Sequence, residues 1–358
     1  MSLDTTPSRQ VGALVERARY TLEQGARVAW YSAHYLAARR ISKPFDRPGE
    51  PQFRPKAPKG DFRRIRAAFV DLFEQDRTNI AAGLYPRPRD FSLGKIRRAF
   101  EDSVRFFQDV PRVDERRIAR RGAEVRSNAD QSRYPAYYLQ NFHYQTGGWL
   151  TEESARLYDT QVEVLFAGAA DAMRRISLGG LARALKGKDQ RRAHVLDIGC
   201  GNGRFLSQTL DAFPRLPVTG LDLSPAYVDA ARARLASWPQ AEIVAGQAEA
   251  APFADASFDA VTCIYLFHEL PPRVRRDVAR EIARVMKPGG TLMFADSVQG
   301  GDAPDLDQMI EYFPVGFHEP FYASYQQEDL AALFAEAGLV LEDTRIAFLT
   351  KVLQFRKV

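Results

Sequence analysis

Cysteine is nearly missing from this chain: Cys200 and Cys263 are the only two in 358 residues. That scarcity excludes a disulfide framework and a multi-cysteine zinc site, and it suits a reducing compartment. No run of about 18 apolar residues occurs, so no membrane span is expected. The opening MSLDTTPSRQ lacks the charged-then-apolar order of a secretory leader, and the expected location is the cytoplasm. No internal repeat is found. What is present is ordinary for a globular chain: 45% hydrophobic residues, enough for a substantial core, in a length comfortable for two domains.

Positive charge is unevenly placed. The net charge is +5, yet residues 1–133 hold 28 Lys+Arg against 17 Asp+Glu and the remainder 22 against 28. A surplus of +11 in front implies either an anionic partner, membrane surface or nucleic acid, or a set of solvated Arg-rich helices.

The front third reads as helices between proline-rich breaks. VGALVERARYTLEQGARVAWYSAHYLAARRI sets Val11, Leu14, Val15, Ala18 and Leu22 at helical spacing. KPFDRPGEPQFRPKAPKG then places five prolines in 18 residues, which no helix or central strand survives. DFRRIRAAFVDLFEQDRTNIAAGL resumes the helix with Ile65, Phe69, Leu72 and Phe73 on one side, and LYPRPRDFSLG breaks it again. IRRAFEDSVRFFQDV and VDERRIARRGAEVR read as two further helices. TEESARLYDTQVEVLFAGAADAMRRISLGG reads as one long helix. Thr151 is its N-cap, Glu152 and Glu153 suit its start, Arg174 and Arg175 suit its end, and Gly179 and Gly180 stop it.

From about residue 193 short β-branched runs alternate with helix-length segments: HVLDIG, PVTGLDL, AEIVAG, FDAVTCIYLF, TLMFADS, and two closing strands in VLEDTRIAFLTKVLQFRKV. That alternation implies a parallel sheet with helices on both faces, whose ligands bind beyond the C-terminal strand ends where strand order reverses. The expected division is a basic helical domain over 1–133 and an α/β domain over 134–358. The latter comprises a leading segment at 134–180, a core sheet at 193–358 and an insert at 296–328.

The most informative stretch is HVLDIGCGNGRF, a buried strand running through Gly199, Gly201 and Gly203 into a helix. Glycines there permit tight geometry and close approach of a ligand to the main chain, and dinucleotide folds use a similar pattern. Two carboxylates separate the cases. Asp197 ahead of the glycines would repel a pyrophosphate but attract an ammonium, and Asp222, within TGLDLS at the end of the second strand, can accept both hydroxyls of a ribose. This pairing resembles the class I S-adenosylmethionine-dependent methyltransferases over residues 193–358. GQAEAAPFADASFDAV, REIARVMKPGGTLMFAD and EDLAALFAEAGLVLED are similar to further landmarks of that family, in order.

The resemblance implies a doubly wound, mostly parallel seven-stranded sheet and S-adenosylmethionine as cofactor. It assigns the methionine end to Asp197, Gly199, Cys200, Gly201 and Gly203, the ribose to Asp222 with Leu223 beside it, and the adenine to Gln247 and Ala248, with Ile264 bordering the site. One departure is visible: the family's acid before the alanine is Gln247 here, which can accept a hydrogen bond but brings no charge, or is simply a solvated loop residue.

A sulfonium-activated methyl group needs in-line approach, water exclusion and sometimes a base. His268 and Glu269, just past the fourth strand in CIYLFHELPP, are the candidates, His268 being either a base or a loop-fixing residue. Cys263 lies within that strand without a preceding proline, so it reads as a buried structural residue. NFHYQTGGW, ahead of the long helix, is expected to act as a lid: Gly147 and Gly148 as hinge, Phe142, Tyr144 and Trp149 over the cofactor, with Tyr144 and His143 nearest the chemistry. The alternative is an ordered aromatic plug between domains. The insert, with Phe313, Phe317, His318 and Tyr322, is expected to wall the acceptor pocket or to pack on the sheet edge.

The leading expectation is methyl transfer to a small aromatic or lipid-like acceptor, since RVMKPGG and FHELPP look most like the group containing quinone and sterol methyltransferases. The front helices would meet a membrane or form a homodimer. The alternatives are an RNA methyltransferase with a basic appendage, although no RNA-binding signature occurs, and a cofactor-binding protein that uses the fold for other chemistry.

Overall fold

The computed structural model describes residues 7–42, 53–88, 93–127 and 129–358. The terminal MSLDTT, residues 43–52 of the first proline-rich break and residues 89–92 of the second lie outside the described residues.

Three helices come first: α1 (Pro7–Ile41), α2 (Phe62–Ala81) and α3 (Leu93–Ala119). The Asp61 carboxylate caps α2 by accepting from Arg63 N at 2.7 Å. In α2, Leu72 is buried while Ile65, Phe69 and Phe73 pack against the same core, as their spacing predicts. In α1 the apolar stripe is not the buried one. Leu14, Val15 and Leu22 are exposed, and Tyr20, Gln24 and His34 face inward. Periodicity located the helix; polar contacts such as Tyr20 Oη donating to Asp76 Oδ2 at 2.6 Å chose the face.

The two helices expected between residues 96 and 126 are one. α3 runs through Pro111, because Phe106 and Val110 are held against Val164 and Tyr31 across the position where a main-chain bond is lost. Conversely, the single helix expected after Thr151 is two, α4 (Glu152–Leu165) and α5 (Ala170–Ala184). Thr151 caps α4, its Oγ1 accepting from Ser154 N at 3.2 Å. The chain breaks at Ala167 and Gly168, both at positive φ, where Arg27 of α1 donates to Gly168 O at 3.2 Å.

Gly179 and Gly180 do not stop a helix. They lie buried inside α5, where a Cβ at Gly180 would overlap the Met293 thioether and one at Gly179 would meet Asn79 Nδ2 at 2.8 Å. Arg174 and Arg175 do not serve a helix end either. Arg175 makes a bidentate pair with Asp76 (2.9 and 2.6 Å), and Arg174 pairs with Asp171 at 3.1 Å, all buried. The Asp76 carboxylate also accepts from Tyr20 Oη and Tyr85 Oη, so one residue of α2 ties α1, α2 and α5 together.

The α/β part follows as β1 (Val195–Ile198), α6 (Arg204–Ala212), β2 (Val218–Asp222), α7 (Pro225–Leu235), β3 (Ala241–Ala245), β4 (Phe258–Ile264), α8 (Pro272–Val285) and β5 (Met286–Ser297). Then come α9 (Asp307–Gly316), α10 (Tyr322–Tyr325), α11 (Leu330–Glu336), β6 (Leu339–Ala347) and β7 (Thr350–Lys357). The seven strands are ordered β3-β2-β1-β4-β5-β7-β6, all parallel except β7, which runs antiparallel between β5 and β6. β1 is buried at all four positions, as a central parallel strand with covered faces must be. Strand order reverses between β1 and β4, which fixes where a ligand cleft forms.

Candidate active site

Beyond β1 the chain turns through Gly199, Gly201 and Gly203 at φ 69°, 54° and 77°, a left-handed region closed to most side chains. The turn is clamped from the next strand. Gly199 N and Cys200 N donate to Leu221 O at 2.8 and 3.0 Å, and Gly201 N donates to Asp222 Oδ2 at 2.8 Å. Asp222 Oδ1 accepts from Ser224 N at 2.9 Å. Burial raises the Asp222 carboxyl to about 6, opposed by those amide donors. Asp197 is also buried. It accepts from Thr262 Oγ1 of β4 at 2.6 Å, and its burial, with Asp222 near, raises it to about 7.

A cleft opens over this turn. Of the expected cofactor residues, Gly199, Gly201, Asp222, Leu223, Ala248 and Ile264 line it; Asp197, Cys200, Gly203 and Gln247 do not. Its wall also includes residues that were not anticipated, among them Tyr137, Tyr138, Tyr158, Tyr227, Glu249 and Tyr265. Trp149, Tyr158 and Tyr227 meet edge to face with centroids 5.5–5.9 Å apart. Both cysteines are free and buried, Cys263 within β4.

At the end of β4 the two candidate bases separate. Glu269 lines the cleft and its Oε2 accepts from Trp149 Nε1 at 3.0 Å. His268 does not line it: Nδ1 is 2.6 Å from Asp296 Oδ1, and Asp296 also accepts from Phe267 N at 2.8 Å. Burial alone would lower His268, but Asp296 outweighs it and lifts the imidazole to about 9. Burial raises Glu269 to about 7, against the pull of His268 and the Trp149 donor. The pair thus sets a favoured imidazolium beside a carboxyl that burial holds above the usual carboxylate range.

The aromatic segment divides. Trp149 faces the cleft, Phe142 stacks behind it (5.9 Å, 12°), and Tyr144 packs against His318 at 5.7 Å, off the cleft wall. Gln145 and Ser154 hold the segment to Tyr227, and a Cβ at Gly148 would meet Gln140 O at 2.6 Å, so the two glycines form a packed turn.

The insert reaches this segment rather than the cleft. His143 lies against Phe313 and Phe317 at 5.7 and 5.8 Å, His143 N donates to His318 O, and His318 Nε2 is 2.9 Å from the Gln140 amide. Tyr322 packs on Phe313 and bonds Ser297 Oγ at 2.6 Å. Glu319, which the sequence reading passed over, is buried 3.3 Å from His143 Nε2; burial holds its carboxyl well above the usual range and His143 down near 3. The one signal for it was an acid directly after His318 in an otherwise aromatic run.

A methyltransferase-domain family matches residues 195–290. Among curated proteins the chain is similar to an O-methyltransferase of Penicillium expansum, 32% identical over 42% of this chain and 53% of that protein. A fatty-acid O-methyltransferase of Mycolicibacterium smegmatis is 34% identical over 36% and 45%. A demethylmenaquinone methyltransferase of Bacillus licheniformis is 31% identical over 41% and 70%. The chain thus spans about half the length of the first two of these relatives.

Proposed function

Because the chain belongs to the class I S-adenosylmethionine-dependent methyltransferases, we propose that it methylates a small aromatic or lipid-like acceptor. The residues present fit that family's cofactor. Gly199 and Gly201 line the cleft without side chains, and Asp222 lines it at the end of β2, its two oxygens fixed by the Gly201 and Ser224 amides. Bound there, S-adenosylmethionine supplies a methyl group already activated for displacement.

The chain's own residues do the rest. Asp222 takes the ribose hydroxyls, Asp197 supplies negative potential behind the turn, and Ala248 offers its amide to the adenine edge. Trp149, Tyr138 and Tyr158 exclude water and present π faces to a cation, worth up to about 2 kcal/mol when desolvated. Glu269 accepts the acceptor's proton. His268, kept protonated by Asp296, is a positioning residue: its charge draws Glu269 toward the ionised form. Tyr144, away from the cleft, buttresses the aromatic segment.

The observation that carries this reading is the coincidence, in one cleft, of the clamped glycine turn, Asp222, a wall of aromatic rings and the Glu269 carboxyl held by Trp149. Relatives named for O-methyl, fatty-acid and quinone-type methylation support an apolar acceptor. Incubation of the protein with methyl-labelled donor and separate phenol, fatty-acid, quinone and RNA fractions should label one of the first three. Labelling of RNA alone, or of nothing, overturns it.

We further propose that the front helices rest on an anionic lipid surface. Ile96, Phe100 and Val104 form an exposed i, i+4 stripe on α3 beside exposed Lys95, Arg97 and Arg98, a pairing suited to interfacial binding.

A further inference from the structure

Gln247 leaves a gap in the cleft. Its side chain does not line the wall, although the segment carrying it is anchored there: Gly246 N donates to Asp222 O at 2.9 Å, next to the ribose carboxylate. Two residues on, Glu249 does line the wall. Its Oε1 accepts from Tyr137 Oη at 2.6 Å, while Oε2 is buried with no hydrogen-bond partner among the described residues. A buried carboxyl oxygen left unpaired loses its hydration without compensation unless a ligand completes it.

The short turn Ala248–Ala250 that presents Glu249 is fixed from behind. Ala251 N donates to Glu281 Oε2 at 2.9 Å, and Arg284 Nη2 donates to Ala251 O at 2.9 Å, both from α8. The carboxyl is therefore aimed in advance, by Tyr137 on one side and α8 on the other.

We propose that Glu249 reads the exocyclic amino group of the cofactor's adenine, the task that an acid at position 247 would otherwise perform. This rests on the cofactor assignment above. With Oε1 committed to Tyr137, Oε2 is the acceptor available for an N–H donor, and the Ala248 amide lies one residue away to donate to the ring nitrogen. A base with an oxygen in place of the amino group would face an acceptor with an acceptor.

Calorimetric titration of the full chain with S-adenosylhomocysteine and with S-inosylhomocysteine tests this without turnover. The wild type should prefer the adenosyl compound by roughly 10- to 100-fold. Glu249→Gln keeps the size of the side chain but removes the carboxylate charge and replaces one of its two acceptor oxygens with an N–H donor beside the base. It should lose most of that preference and bind the inosyl compound more tightly than the wild type does. Gln247→Ala should leave the preference intact. The proposal is overturned if Glu249→Gln weakens both ligands equally or changes neither, or if Gln247→Ala abolishes the preference. Binding of neither ligand by the wild type would instead defeat the cofactor assignment itself.

Discussion

Burial raises the Glu269 carboxyl to about 7, whereas Asp296 lifts His268 beside it to about 9. Since a carboxyl raised by burial works as a base only once ionised, turnover should climb as pH passes through about 7. Glu269→Gln is expected to lower kcat by about 100-fold or more and to erase that limb, as steady-state rates from pH 5.5 to 9 would reveal. His268 acts in the opposite sense on stability. Its folded pKa lies above the ordinary 6.5, so the Asp296 contact contributes fully below that value and is lost as pH rises through 9. The strand-end glycine turn and Asp222 beside it were legible in the sequence as a local arrangement, a strand end and the turn after it, although Asp197 and Gly203 do not line the cleft. Glu249 and Glu319 were not. Their surroundings are made by Tyr137 and His143, which lie more than a hundred residues away along the chain, and no window of sequence joins them.

The elements tell a similar story at a larger distance. Strand positions were legible from β-branched runs, and the helices from their period, but two boundaries moved where tertiary contacts outweighed local signals. Proline did not end α3, and a glycine pair did not end α5. In α5 the glycines act through what they omit, letting the helix close onto β5 at Met293 and onto α2 at Asn79. Gly180→Ala, harmless to helix propensity, should therefore destabilise the protein by about 1–3 kcal/mol through overpacking, measured as a fall in the thermal unfolding midpoint.

For the whole molecule, the question is how the helical front is joined to the sheet. Leu72 and Tyr85 belong to the same buried cluster as Met173, Ile176 and Met293, and Asp76 receives four donors from Tyr20, Tyr85 and Arg175. Asp76→Ala strands the Arg175 guanidinium in that interior and should cost about 3–5 kcal/mol, read from denaturant unfolding. The exposed α3 stripe should bring the full chain down with vesicles containing anionic lipid, and Phe100→Glu should release it; equal sedimentation of both proteins would sink the lipid-surface proposal. The composition change near residue 193 made the α/β part legible, but nothing local announced that a carboxylate in α2 would meet an arginine 99 positions later. With that shared anchor, transplanting the front helices onto another sheet demands an arginine in register with Asp76 on the receiving side.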